Sequence, residues 1–84
     1  MAQVALTQEA AEQFASLPRS IQPRVNDVIL RLEKWPSVSG AKPLRGDLAG
    51  NFRIRTGDYR IVFRVKGDDV IVWKIADRKD VYLD

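Results

Sequence analysis

The chain has 84 residues, 45% of them hydrophobic, and contains neither cysteine nor histidine. A chain of this length builds one small core, so we expect a single domain over residues 1–84. The missing residue types exclude disulfides, thiolate chemistry, Ser–His nucleophile pairs and ordinary zinc ligation, and we expect neither a cofactor nor a metal. With no signal pattern at the N-terminus and no apolar run of membrane-spanning length, the sequence predicts a cytoplasmic protein.

The net charge of +3 is unevenly distributed along the chain. Residues 1–40 are neutral overall, residues 41–66 carry seven basic and two acidic groups, and residues 67–84 carry a net charge of −2. A local basic block on a chain of modest total charge favours one binding site for an anionic partner.

The N-terminal half predicts a helical hairpin. Residues 3–6 are compatible with an edge strand, and Thr7 is the expected N-cap of a first helix that ends at Pro18. Ser20 is the expected N-cap of a second helix, which is closed by Pro36. The apolar stripe of this second helix consists of Ile21, Val25, Val28, Ile29, Leu32 and Trp35.

The hydrophobic period changes from 3.6 to 2 in the second half, which predicts an antiparallel meander of three strands. Residues 36–51 are rich in loop and turn residues, and a Gly-Asp pair stands in each of the two hairpin turns that follow. Because the helices precede the strands, we expect an α+β fold in which the hairpin packs on one face of a three- to four-stranded, mainly antiparallel sheet.

Strand alternation divides the sheet residues between two faces. The face predicted to lie under the helices carries Phe52, Ile54, Ile61, Phe63, Val65, Ile71, Trp73 and Ile75. The face predicted to be solvated carries Arg53, Arg55, Arg60, Arg64, Lys66 and Lys74 around Val62, Val70 and Val72.

This concentration of basic residues favours an anionic partner. A solvated sheet face normally mixes charges, because like charges opposite one another on neighbouring strands are destabilising. Arginine suits the phosphates of single-stranded RNA or DNA, although an acidic protein segment fits the same composition. Since the other aromatic residues of the strands are assigned to the core, Tyr59 and Tyr82 are the candidates for base stacking.

Four segments together resemble the RelE/ParE toxin superfamily. They are LRG at 44–46, FRIR at 52–55, GDYRIVF at 57–63 and RKDVY at 78–82. The resemblance spans nearly the whole chain and is strongest to the RelE branch, toxins of bacterial type II toxin–antitoxin operons. It implies a metal-independent endonuclease that cuts messenger RNA in the ribosomal A site by attack of a 2′-OH on the adjacent phosphate. The implied partners are the ribosome, the messenger RNA and an acidic antitoxin that covers the basic site.

The resemblance also assigns roles to residues by position. The implied catalytic set is Arg53, Arg55, Arg60, Arg78 and Tyr82. In this set Arg60 and Arg78 bind the phosphate, Arg53 stabilises charge in the transition state, and Tyr82 stacks on or orients the attacked nucleotide. The RNA-binding residues expected around this set are Arg45, Arg64, Lys66, Lys74 and Lys79.

The chain departs from RelE toxins where they carry lysine and it carries Arg53 and Arg55. A lysine can lose its proton and act as a base, whereas an arginine stays protonated. Asp77, Tyr82 or the ribosome is then the candidate base, although Asp77 is more simply an ion-pair partner of Arg78. Two other functions remain open: a ParE-like, non-nucleolytic toxin that poisons DNA gyrase, and a basic module whose main partner is the antitoxin.

Overall fold

Seven helices and strands build the part of the chain that the computed structural model describes, residues 1–77 and 79. They are β1 (Gln3–Leu6), α1 (Gln8–Ala15), α2 (Gln22–Arg31), β2 (Lys42–Pro43), β3 (Asn51–Thr56), β4 (Tyr59–Lys66) and β5 (Asp69–Asp77). Short 3-10 helices at Leu32–Lys34 and Gly46–Leu48 follow α2 and β2. Within these residues, no helix is long and apolar enough to cross a membrane.

The sheet is mixed and has five strands in the order β1-β5-β4-β3-β2. Strands β2 to β5 pair antiparallel, and β1 joins as a parallel edge strand beside β5. The α+β class is confirmed, with five strands instead of three or four. The extra strand β2 lies where the sequence predicts a loop, and it has only two residues, ending at Pro43, which has no N–H to donate.

The N-terminus of α1 is capped as the sequence predicts. The Thr7 Oγ1 atom accepts a hydrogen bond of 3.1 Å from the backbone N–H of Ala10, and Glu9 lies in the first turn. The cap satisfies one of the N–H groups that a helix start leaves without an intrahelical partner.

The start of α2 differs from the prediction. Its N-cap is Ile21, in helical conformation and without a side-chain capping bond, so the prediction of Ser20 as N-cap is wrong. The chain is already coiled before the helix begins, because the N–H groups of Ile21 and Gln22 both donate to the carbonyl of Pro18. The Gln22 side chain instead donates to carbonyl groups at the end of α1, and so ties the two helices together. These acceptors are the carbonyls of Phe14, Ala15 and Leu17.

The main hydrophobic core lies between the two helices and one face of the sheet. Its buried members are Ala10, Val25, Val28, Leu32, Ile54, Ile61, Phe63, Val70, Val72 and Ile75. At one side of it, Trp35 packs edge-on against Phe52 and Phe63, with ring centroids 4.7 and 5.4 Å away. Three contacting aromatic rings stabilise this end of the core beyond the area that they bury.

A β-bulge in β5 overturns part of the predicted division between faces. Val62 lies opposite Lys74 and Phe63 lies opposite Val72, so Trp73 is an extra residue on β5. The bulge reverses the alternation on one side of it. Val70 and Val72, predicted on the basic face, are therefore fully buried in the main core. Trp73 and Ile71, predicted in that core, lie outside it.

The sheet face turned away from the helices, called the second face below, carries its own hydrophobic cluster. Leu44 and Val62 are buried there, and Leu48, Trp73 and Ala76 pack against them. The 3-10 helix after β2 supplies Leu48. The second face is thus a partly covered surface instead of the solvated one predicted.

Candidate functional site

Cationic side chains on the second face form two neighbouring rows across the sheet. In one row Arg55 lies directly opposite Arg60, which lies opposite Ala76 on β5. In the next row Lys42 lies opposite Arg53, which lies opposite Val62. Residues two apart on a strand share a face and are about 7 Å apart, so the rows are adjacent. We call Arg53, Arg55 and Arg60 the arginine cluster.

The two rows contain two pairings of like charge that are unfavourable by themselves. Arg55 opposes Arg60, and Lys42 opposes Arg53; like charges directly opposite one another on neighbouring strands are destabilising. Arg53 and Arg60 each expose only 8% of their surface, whereas Arg55 is exposed. Each of the three has an interaction with another group of the protein.

The predicted RNA-binding residues lie at different distances from this cluster. Lys74 lies opposite Val62, in the same row as Arg53, and Arg64 follows in the next row along β4. Arg45 is exposed in the segment that leaves β2, and Lys79 is exposed after β5. Lys66 lies opposite Asp69 at the far end of β4, six residues or about 20 Å from Arg60 along the strand, and is not part of the cluster. Arg78 and Tyr82 lie outside the described residues.

Asp77 and Tyr59 are directed away from the arginine cluster. They lie opposite one another, one residue beyond the Arg60–Ala76 pair, so alternation places both side chains on the helix side of the sheet. They line an open cleft of about 400 Å³ beside the end of β5. Its other lining residues are Gln13, Ser16, Leu17, Pro18, Lys74, Ile75 and Ala76. The Asp77 Oδ1 atom accepts a hydrogen bond of 3.0 Å from the backbone N–H of Lys79.

Two residues of the second face were not identified from the sequence pattern. Lys42 stands in a segment with loop composition, and nothing local indicates that it pairs with Arg53. Trp73 belongs to the run VIVWKIA, in which both sides of the strand are apolar, so the pattern does not mark the bulge. The available local signal for the bulge was side-chain size, because Trp73 is the largest residue of that run.

Comparison with known proteins gives the family. The sequence model of the family 'ParE toxin of type II toxin–antitoxin system' matches residues 4–82 of the chain. Toxin RelG from Mycobacterium tuberculosis is 40% identical over 43 residues, a segment covering 49% of this chain and 49% of that protein. The match therefore spans about half the length of that curated relative.

Solved structures with the same fold cover almost the whole chain. The toxin–antitoxin complex RelBE2 from Mycobacterium tuberculosis has a chain that is 28% identical with a TM-score of 0.80, covering 92% of this chain and 98% of that one. The isolated RelE toxin of E. coli is 16% identical with a TM-score of 0.77, covering 92% and 84% respectively. At that lower identity the likeness concerns the fold alone. By the match over residues 4–82, the chain belongs to the ParE toxin family of type II toxin–antitoxin systems, within the RelE/ParE superfamily.

Proposed function

We propose that the chain is the toxin of a type II toxin–antitoxin pair and that it cleaves messenger RNA in the ribosomal A site. Family membership supports the first part. The arginine cluster carries the second part, since it gathers three guanidinium groups in two adjacent rows on one face. A planar guanidinium can bind two phosphate oxygens at once, so this arrangement suits a phosphodiester.

The proposed reaction is an in-line attack of the RNA 2′-OH on the adjacent phosphorus. The bond from the 2′-oxygen to phosphorus forms while the bond to the 5′-oxygen breaks. The departing 5′-oxygen takes a proton from water, so the products are a 2′,3′-cyclic phosphate and a 5′-OH. Negative charge develops on the phosphate oxygens, and fixed cations in a partly buried site stabilise it best. Arg60 is assigned to the phosphate, with Arg78, and Arg53 to the developing charge.

The existing contacts of the arginine cluster are compatible with this assignment. Each of its members already interacts within the fold, and the burial of Arg53 and Arg60 restricts the movement of their side chains. A guanidinium has five N–H donors in a fixed plane, so an arginine with one partner can also bind a phosphate.

The proton of the attacking 2′-OH needs an acceptor other than the arginine cluster, because arginine stays protonated in proteins. Asp77 does not suit this role, since its position opposite Tyr59 directs it to the helix side of the sheet. We therefore assign proton removal to Tyr82 or to the ribosome itself.

The same basic face is the proposed contact for an acidic antitoxin. The similar structures of RelBE2 and of the Methanococcus jannaschii RelB–RelE pair are antitoxin–toxin complexes. The net charge of +5 on residues 41–66 complements an acidic chain and would speed their association. Copurification with the product of the neighbouring reading frame tests this partner.

Cleavage by the Arg60→Ala variant tests the proposed reaction. Purified protein is added to programmed 70S ribosomes carrying a defined message, and the new 5′ ends are mapped by primer extension. Loss of one preorganised charge donor should slow the cut about 100- to 1,000-fold. Arg31→Gln is the matched control, because Arg31 lies on α2 in an exposed ion pair with Asp27. An intact message with folded wild-type protein would overturn the proposal.

Gyrase poisoning is the second candidate function. It is favoured by the match to the ParE family model and by arginine at the two positions where RelE toxins carry lysine. It predicts that Arg60→Ala still arrests growth if the variant folds, and that wild-type protein inhibits gyrase supercoiling while leaving ribosome-bound message intact.

A further inference from the structure

Trp73 is a large aromatic residue on the second face to which neither the family resemblance nor the proposed reaction gives a role. The bulge places it between Val72, opposite Phe63, and Lys74, opposite Val62. It packs against Val62 in the cluster of the second face, but unlike Val62 it remains partly exposed.

The indole ring is held in a fixed orientation. Its Nε1–H donates a hydrogen bond of 2.8 Å to the Asn51 Oδ1 atom. The Asn51 Nδ2 group in turn donates a hydrogen bond of 3.0 Å to the carbonyl of Leu48. The backbone carbonyl of Asn51 accepts a hydrogen bond of 2.9 Å from the N–H of Leu44. Because the only polar atom of the indole is paired inside the protein, the accessible part of this side chain is apolar ring surface.

Basic residues lie near this ring on the same face of the neighbouring strands. Val62, which contacts Trp73, lies directly opposite Arg53, and Arg60 is two residues away from Val62 on the same strand and the same face. Lys74 is the next residue along the chain. A rigid aromatic surface beside a cationic track is the combination by which proteins bind single-stranded nucleic acid, the base stacking on the ring and the phosphates meeting the cations.

We propose that Trp73 is a base-stacking residue for RNA bound by the arginine cluster. The inference rests on the proposed function and specifies its substrate contact: an unpaired base next to the phosphate held at Arg60 lies on the indole. Asn51 is the positioning residue, since its hydrogen bond fixes the plane of the ring. The buried part of Trp73 is sufficient to fill the hydrophobic cluster of the second face, whereas stacking uses the exposed part of the ring.

The test couples changes in the protein to changes in the message. Cleavage rates on programmed 70S ribosomes are measured for wild type, Trp73→Leu and Trp73→Phe, each with an intact codon and with an abasic nucleotide at one codon position at a time. Trp73→Leu keeps apolar volume without an aromatic face and should slow cleavage about 5- to 100-fold, whereas Trp73→Phe should lose much less. At one codon position the abasic nucleotide should slow wild type but not slow Trp73→Leu further.

Two further variants separate stacking from a purely structural role. Asn51→Leu removes the hydrogen bond that fixes the plane of the indole but keeps the ring, so it should reduce the difference between intact and abasic messages without abolishing it. Trp35→Phe is the control, because it alters an aromatic residue on the other side of the sheet and should retain the full difference. Thermal unfolding followed by circular dichroism establishes that each variant is folded at the assay temperature.

Three results are distinguishable. A wild-type cut whose dependence on the base disappears in Trp73→Leu supports the inference. A wild-type cut with an equal abasic effect in wild type and Trp73→Leu at every position overturns it and leaves the proposed nuclease intact. No cut by the wild type overturns the proposed function and this inference together.

Discussion

At the scale of single residues, one side chain of α1 provides a hydrogen-bond acceptor for the backbone of β5. The Gln13 Oε1 atom accepts a bond of 2.7 Å from the backbone N–H of Ile75, beyond Val72, where the pairing with β1 ends. Gln13→Leu leaves this donor without its acceptor and should lower the free energy of unfolding by about 1–2 kcal/mol. Urea unfolding followed by circular dichroism measures the change.

Gln8→Leu is the matched control for that substitution. Gln8 lies on the same helix, and its side chain contacts only Glu12 at 3.3 Å among the described hydrogen bonds, on an exposed surface. We expect a change within about 0.5 kcal/mol there. Equal losses in the two variants would contradict the role given to Gln13.

At the scale of elements, the turn between β4 and β5 depends on a glycine. Gly67 has φ +61°, and a Cβ at this position would meet nothing within 4 Å. Gly67→Ala should therefore lower the free energy of unfolding by about 1–2 kcal/mol for conformational reasons alone. Asp68→Ala in the same turn should cost clearly less, and urea unfolding of both variants checks the difference. A loss for Gly67→Ala no larger than for Asp68→Ala would contradict the argument.

The same scale shows which features of the fold can be predicted from the sequence. The helical hairpin, the three meander strands and the Thr7 cap follow from local signals, because hydrophobic period, proline and turn glycines act over a few residues. The pairing of Lys42 with Arg53 depends on tertiary packing. The bulge at Trp73 lies in a run that is apolar on both sides, so alternation read from Ile75 assigns Ile71 and Trp73 to the wrong face. Strand alternation brought Arg53, Arg55 and Arg60 together correctly on one face, while the roles that the resemblance assigns to them stay predictions.

At the scale of the whole molecule, the net positive charge lies in the segment that forms strands β2 to β4 and not in the helices. Residues 1–40, which form the helices and β1, have no net charge, whereas residues 41–66 carry +5. If the second face neutralises three phosphates, affinity for a short single-stranded RNA should fall about 20-fold between 50 and 200 mM salt. Fluorescence anisotropy of labelled RNA measures this dependence.

Two variants locate the charges responsible. Arg64→Gln, one row beyond Arg53 on the second face, should reduce the slope of log affinity against log salt by about 0.7 if it contacts one phosphate. Arg31→Gln, on α2, should leave the slope unchanged. A slope that is the same in all three proteins would contradict a phosphate contact at Arg64, and an affinity independent of salt would contradict phosphate binding altogether.

The hydrogen bond between Gln13 and Ile75 also makes the exchange rate of the Ile75 N–H a measure of how often α1 separates from the sheet. Most backbone N–H groups of a sheet exchange with deuterated solvent only when neighbouring strands separate, whereas this one is covered by a side chain from α1. Its exchange rate therefore reports how often α1 lifts from the sheet while the strands remain paired. A partner that clamps α1 onto β5 will slow exchange at Ile75 selectively, and a partner confined to the second face will not.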